Sequence, residues 1–265
     1  MLNRFIATLI LANIAITSVI FFLVAVILRF VTGPFDRRLV ILHQFTSFWA
    51  CFYLWTTPAW SVRVLGREKL GKGPYVIVSN HQSGLDILVA FHLFYPFKWV
   101  SKIEMFRVPL IGWNMSLNRY IPLIRGDKES IKTMLAACEA AIAQGCSVYF
   151  FPEGTRSRTG VLKAFKAGAF ATAKKMQVPI LAVAINGTHK ALPKKSLNFH
   201  GRHEITLTVL EEIPYAAFKD LDVEDIAAMV RSRIAPHVKE HARHEERLTA
   251  AQDTTSGQTT DARLN

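Results

Sequence analysis

Apolar and polar positions divide this chain into two unlike parts. From Phe5 to Leu28 no charged residue occurs. As a helix this run would extend about 36 Å, enough to cross a hydrocarbon core of about 30 Å. A secretory signal would have a shorter apolar region and small residues at its cleavage site. Here Arg29-Phe30-Val31-Thr32 follows, so the expected element is an uncleaved membrane helix. A second apolar run, Leu39 to Trp60, carries His43 and Gln44 and is rich in aromatics, among them Phe45, Phe48, Trp49, Phe52, Tyr53 and Trp55. Such enrichment suits a membrane–water interface. If both runs crossed, the loop with Arg29, Arg37 and Arg38 would lie opposite a cytosolic globular part, against the positive-inside bias. The reading is one spanning or deeply inserted helix, with the second segment in the same leaflet.

Beyond residue 60 short apolar runs alternate with helical periodicity. Val62 to Lys72 reads as a short strand and a turn, and Pro74 to Ser79 as a strand. A helix is expected over Leu85–Phe94, then strands at Lys98–Lys102 and Tyr120–Ile124. Ile131, Met134, Leu135, Cys138, Ala141 and Ile142 recur at helical spacing, and Gly145 closes that helix. Strands follow at Ser147–Phe151, Val178–Ile185 and Glu204–Leu210, with helices at Ala164–Met176 and Val223–Ala242. The alternation predicts an α/β fold: a mixed central sheet flanked by helices, preceded by N-terminal hydrophobic membrane helices. The expected organisation is 1–60 membrane-inserted, 61–246 the α/β domain, and 247–265 a polar tail of disordered composition.

Composition sharpens this picture. The 265 residues are 51% hydrophobic and only 20% charged, which fits membrane attachment. The net charge of +12 asks for an anionic partner. Nucleic acid is not expected, because no RNP-like, zinc-finger or helix-turn-helix signature accompanies the charge. Cys51, Cys138 and Cys146 form no paired framework and read as reduced, buried thiols. Gly66 to Lys72 has the opening spacing of a P-loop, but Gly73 stands where Ser or Thr must hold magnesium.

Two polar turns carry candidate chemistry. Asn80-His81-Gln82-Ser83-Gly84-Leu85-Asp86 follows a strand and enters a helix. An imidazole with a carboxylate in reach is a general base with an orienting partner. The plainer reading is a helix-capping Asp beside an unrelated His. Phe151-Pro152-Glu153-Gly154-Thr155-Arg156 leaves a second strand. Glu153 and Arg156 there could form a structural ion pair. Ligands of open α/β sheets bind beyond the carboxyl ends of strands, where both turns lie.

The two stretches together resemble the glycerolipid acyltransferases, specifically the 1-acyl-sn-glycerol-3-phosphate (lysophosphatidic acid) acyltransferases. Their signature is His-x-x-x-x-Asp followed some seventy residues later by Phe-Pro-Glu-Gly-Thr-Arg. The resemblance covers about residues 60 to 215. Lys102-Ile103-Glu104 with Pro109 and Gly112, Arg125 after a strand, and Val178-Pro179-Ile180 with Gly187-Thr188 also match. Ile124 and Ala182 depart from the usual acidic or amide residue and the usual second proline.

The resemblance implies transfer of an acyl group from acyl-CoA or acyl carrier protein to the sn-2 hydroxyl of lysophosphatidic acid. His81 would be the base and Asp86 its partner. Arg125, Arg156 and Lys102 would bind the phosphate, because guanidinium groups pair with phosphate oxygens. Glu153, Gly154 and Thr155 would position substrate, Glu153 by orienting Arg156 or meeting a glycerol hydroxyl. Oxyanion donors could be amides near Gly154–Thr155 or those after His81. Ser83 is an alternative nucleophile. No cofactor or metal is expected, and His237, His241 and His244 read as a solvated helix face. The expected partners are lysophosphatidic acid and anionic phospholipids, at the bacterial inner membrane with the catalytic part facing the cytoplasm. Another acceptor (glycerol-3-phosphate or another lysophospholipid), a thioester or lipid hydrolase, and a non-enzymatic adaptor remain open alternatives.

Overall fold

The computed structural model describes residues 2–157, 160–192 and 202–238, with the side chains of residues 2–7 left aside. The expected tail at 247–265, His241, His244 and the last turn of the expected C-terminal helix lie outside these residues. Seven strands form one mixed sheet: β1 (Trp60–Leu65), β2 (Val76–Ser79), β3 (Phe97–Lys102), β4 (Ile121–Leu123), β5 (Ser147–Phe150), β6 (Ile180–Asn186) and β7 (His203–Ile213). Their spatial order is β1-β7-β6-β2-β5-β3-β4. Every pairing is parallel except β6 with β7. β2, β5 and β6 are central, and β2 and β5 are buried along their whole length. That explains why these runs read as continuously apolar rather than alternating. β4 contains Pro122, which an edge strand tolerates.

Alternating strand residues feed two cores, one on each face of the sheet. Val76, Val78, Val148 and Phe150 pack with Met134, Cys138 and Ile142 of α5 (Lys128–Ala143), Phe170 of α6 (Gly168–Met176) and Ile226 and Val230 of α8 (Val223–Ile234). Ile77, Tyr149, Leu181 and Val183 face the other way. They pack with Leu85 and Val89 of α3 (Leu85–Ala90) and with Ala50, Cys51 and Leu54 of α2 (Val40–Trp55). The remaining helices are α1 (Leu2–Thr32), α4 (Ile111–Leu117) and α7 (Thr188–Ala191). Cys51, Cys138 and Cys146 are buried free thiols.

α1 is long and apolar enough to cross a membrane. α2 folds back along it, started by Asp36, whose carboxylate accepts from the amides of Val40 and Ile41 at 2.9 and 2.7 Å. Phe21 of α1 sits among Phe45, Phe48, Trp49 and Phe52. Within this apolar seam Ser18 Oγ and Tyr53 OH lie 2.6 Å apart, and Trp49 Nε1 donates to the same phenol oxygen. α2 therefore has two roles: one face lies on α1 and the other shares the core beneath the sheet. Phe48 and Trp55 of α2 remain exposed.

Candidate active site

β2 and β5 are parallel neighbours with Val78 opposite Phe150. Three residues further along each strand lie His81 and Glu153, so the register alone brings the two turns together. The join is made by backbone groups. His81 N donates to Glu153 Oε1 at 2.7 Å, and Ser157 N donates to His81 O at 2.8 Å. On the other side of β2, Asn80 reaches β6. Its amide donates to Ile185 O and its oxygen accepts from Ile185 N, both at 2.8 Å.

Asp86 lies in the first turn of α3 and is fully buried. Its Oδ2 is 2.7 Å from His81 Nδ1 and accepts from the amides of Gln82 and Ser83 at 2.6 and 2.8 Å. Its Oδ1 accepts from the hydroxyl of Thr188. Four donors thus fix the carboxylate, which holds Nδ1 as the protonated nitrogen and leaves Nε2 to face outward. The ring itself lies flat on Phe151, with centroids 3.9 Å apart. The Ser83 hydroxyl is turned away from this chemistry. It donates to Leu192 O at 2.7 Å and accepts from Leu85 N, which does not suit a nucleophile.

His81 lies in the wall of a cavity of about 620 Å³ that runs between the sheet, α2 and α4. Trp49, Ala50, Leu88, Phe91 and Met115 give it apolar lining, while Lys102, Arg125 and Arg156 line it together with His81. The structure therefore gathers the three expected cations around one space. Lys102 is also 2.7 Å from Glu104, so part of its charge is already matched. Gly154 joins the wall, whereas Thr155 is exposed and is not part of it.

Glu153 does something other than pair with Arg156. Oε1 takes His81 N and Oε2 takes Lys163 N at 3.1 Å. Both oxygens are committed to backbone amides because the turn folds the carboxylate inward, where it is 4% exposed. It holds the backbone of His81, and any effect on substrate passes through that residue. Burial pushes its carboxyl up to about 7, against the pull of the His81 and Lys163 amides. Between about 4.5 and about 7 the folded protein keeps a proton that the unfolded chain releases. This stabilising contribution is complete below about 4.5 and is lost as pH rises through about 7. Subtracting the Tm of Glu153→Gln from that of the unsubstituted protein should give a difference that falls over this window. A difference independent of pH would show that the carboxyl does not titrate there.

Sequence reasoning missed two residues at this site. Thr188 belongs to the matching Gly187-Thr188 pair, but its bond to Asp86 spans 102 positions and leaves no local signal. The helical pattern over Ala164–Met176 puts Lys166 inside a helix. The helix begins only at Gly168, and Lys166 N donates instead to Pro152 O at 2.9 Å. Its side chain lies across Gly154, where a β-carbon would sit 2.8 Å from Lys166 Cε. With φ at +68°, Gly154 is glycine for both reasons. Lys166 is thus a fourth cation in the cavity wall.

A family model described as acyltransferase matches residues 61–186, which contain both turns. A 1-acyl-sn-glycerol-3-phosphate acyltransferase of Chlamydomonas reinhardtii is 38% identical over 183 residues, 68% of this chain and 54% of the relative. One of Pseudomonas aeruginosa is 31% identical over 65% of this chain and 71% of the relative. The chain spans about half the length of several of the relatives it matches, the algal one among them. In fold it is similar to the 1-acyl-sn-glycerophosphate acyltransferase PlsC of Thermotoga maritima, with a TM-score of 0.61 at 23% identity over 86% of this chain and 97% of that one. The chain belongs to the acyltransferase family that includes the 1-acyl-sn-glycerol-3-phosphate acyltransferases.

Proposed function

We propose that this protein transfers a fatty acyl group from acyl-CoA or acyl carrier protein to the sn-2 hydroxyl of 1-acyl-sn-glycerol-3-phosphate, giving phosphatidic acid. The observation that carries the reading is the His81–Asp86 pair, 2.7 Å apart, in the wall of a cavity lined both by apolar side chains and by Lys102, Arg125 and Arg156. The names of the relatives supply the acceptor.

An alcohol is a weak nucleophile near neutral pH. His81 Nε2 removes its proton as the oxygen attacks the thioester carbonyl, and Asp86 stabilises the imidazolium that forms. The thiol of the donor then leaves, taking that proton from the ring. Attack is direct, without an acyl-enzyme intermediate. Arg125, Arg156 and Lys102 hold the phosphate, Gly154 shapes the turn beside it, and the apolar lining takes acyl chain. The thioester donor is a substrate, and the reading calls for no resident cofactor. α1 tethers the α/β part to the bacterial inner membrane on its cytoplasmic side, where donor and lipid meet. Residues 1–60 act as the membrane part and 61–246 as the catalytic part, with α2 serving both.

The purified protein in detergent micelles, given lysophosphatidic acid, glycerol-3-phosphate and neutral lysophospholipids with each thioester, should make phosphatidic acid fastest. Free fatty acid without acylated lipid would mean a hydrolase, and preference for another acceptor would move the headgroup assignment. Arg156→Ala and Arg125→Ala should raise the lysolipid KM about tenfold to a hundredfold, since a charged hydrogen bond contributes about 1.5–3 kcal/mol. An unchanged KM in both would remove them from the phosphate site.

A further inference from the structure

Between β3 and β4 the chain makes a detour that sheet pairing does not require. A 3₁₀ turn (Ile103–Arg107) leads through Val108 and Pro109 to Leu110, which takes a positive φ of 63°, and then into α4. The hairpin is tightly closed. A β-carbon on Gly112 would lie 2.4 Å from the backbone of Phe106, so no larger residue fits. This fixed shape turns apolar side chains outward: Met105, Val108 and Trp113 are 37, 39 and 50% exposed. With φ 63° and ψ −56°, Leu110 adopts a backbone that residues with a β-carbon rarely take, so the turn is strained. Exposing a contiguous apolar tip beside it gains nothing in water.

The tip does not stand alone. Trp113 packs on Phe22 of α1, with ring centroids 5.6 Å apart, so the patch continues the surface of the one helix that could cross a membrane among the described residues. Arg107 and Arg119, both exposed, flank it with positive charge. A tryptophan between apolar and basic residues is the composition of a headgroup boundary. At the edge of this patch Met105, together with Ile111, also lines the cavity that reaches His81.

We propose that the Met105–Trp113 hairpin is a second membrane-docking wedge, seated in the headgroup and upper acyl region of an anionic leaflet. It brings the mouth of the cavity to headgroup depth, so a lysolipid slides in sideways without leaving the bilayer. The role for this mouth rests on the lipid acceptor proposed above; the wedge itself is read from its shape, exposure and continuity with α1.

The test has one arm that does not depend on activity. The full chain, carrying a spin label at Val108→Cys, is reconstituted in vesicles of phosphatidylethanolamine and phosphatidylglycerol. Residue 108 should be more accessible to oxygen than to a water-soluble nickel relaxant, by at least threefold relative to a label at Lys132 on α5. Equal accessibility at the two positions overturns the wedge. In the second arm Val108→Asp should lower the rate on vesicle-borne lysophosphatidic acid at least fivefold. Its rate on a short-chain, monomeric lysophosphatidic acid should stay within twofold. Equal losses on both would overturn the sideways route, as would a raised KM for acyl carrier protein alone, which would mark a protein-docking surface. If the unsubstituted protein acylates neither lipid, the acceptor reading fails, and the relaxant ratio still decides the wedge.

Discussion

His81→Ala should reduce acyl transfer by about 10²–10⁴-fold in kcat, the range of a positioned general base, while the protein remains in the membrane fraction. The loss belongs to chemistry rather than to folding. His81 is 7% exposed, and its ring contributes one stacking contact with Phe151 and one hydrogen bond to Asp86. The backbone of residue 81, which joins the two turns through Glu153 and Ser157, survives the substitution. A Tm lowered by only a few degrees, with the rate lost and lysolipid KM little changed, is the expected pattern. A variant that keeps more than a tenth of the rate would return His81 to the role of a core residue and remove the basis of the proposed mechanism.

Local signals and long-range ones divide what the sequence revealed. β2, β5, β6 and α5 were readable because burial on both faces, or on one helical stripe, writes itself into consecutive residues. The two turns were readable for the same reason: each follows a buried strand and carries its polar residues together. The order of the strands was not. Nothing local tells that β7 runs antiparallel to β6 while β1 pairs with it in parallel at the edge. α4 escaped because its seven residues show no helical stripe of their own; they are placed by α1 and by the 3₁₀ turn before them.

The site shows the same division. Its register follows from strand pairing, and pairing is invisible in one chain. His81 and Asp86, five residues apart, could be matched by spacing. Glu153 belongs to the motif, but its partners are main-chain amides 72 and 10 positions away, and amides carry no residue identity. The second apolar segment was read for its aromatics. Phe45, Phe48, Trp49 and Phe52 face Phe21 of α1 and Trp55 stays exposed, while the smaller Ala50 and Cys51 join the core beneath the sheet.

Asp86→Asn should cost about 10²–10⁴-fold in kcat, comparable to the loss of the histidine, with little change in fold. The hydrogen bonds explain why this substitution isolates charge. An asparagine oxygen placed at Oδ2 still accepts from His81 Nδ1, Gln82 N and Ser83 N. Its NH₂ at the Oδ1 position meets the Thr188 hydroxyl, which can accept as well as donate. The geometry therefore has a way to persist while the negative charge does not. An imidazolium forming beside a neutral amide in a buried site loses its counter-charge at the moment the alcohol is deprotonated, a penalty of about 3–5 kcal/mol over that range of rates. Thr188→Val removes one donor and keeps the charge, so a smaller loss of about tenfold is expected, with Thr188→Ser restoring most of it. The ordering is the informative result. If Thr188→Val costs as much as Asp86→Asn, the carboxylate matters for where it holds the loop, and electrostatic stabilisation of the ring is not what the pair supplies.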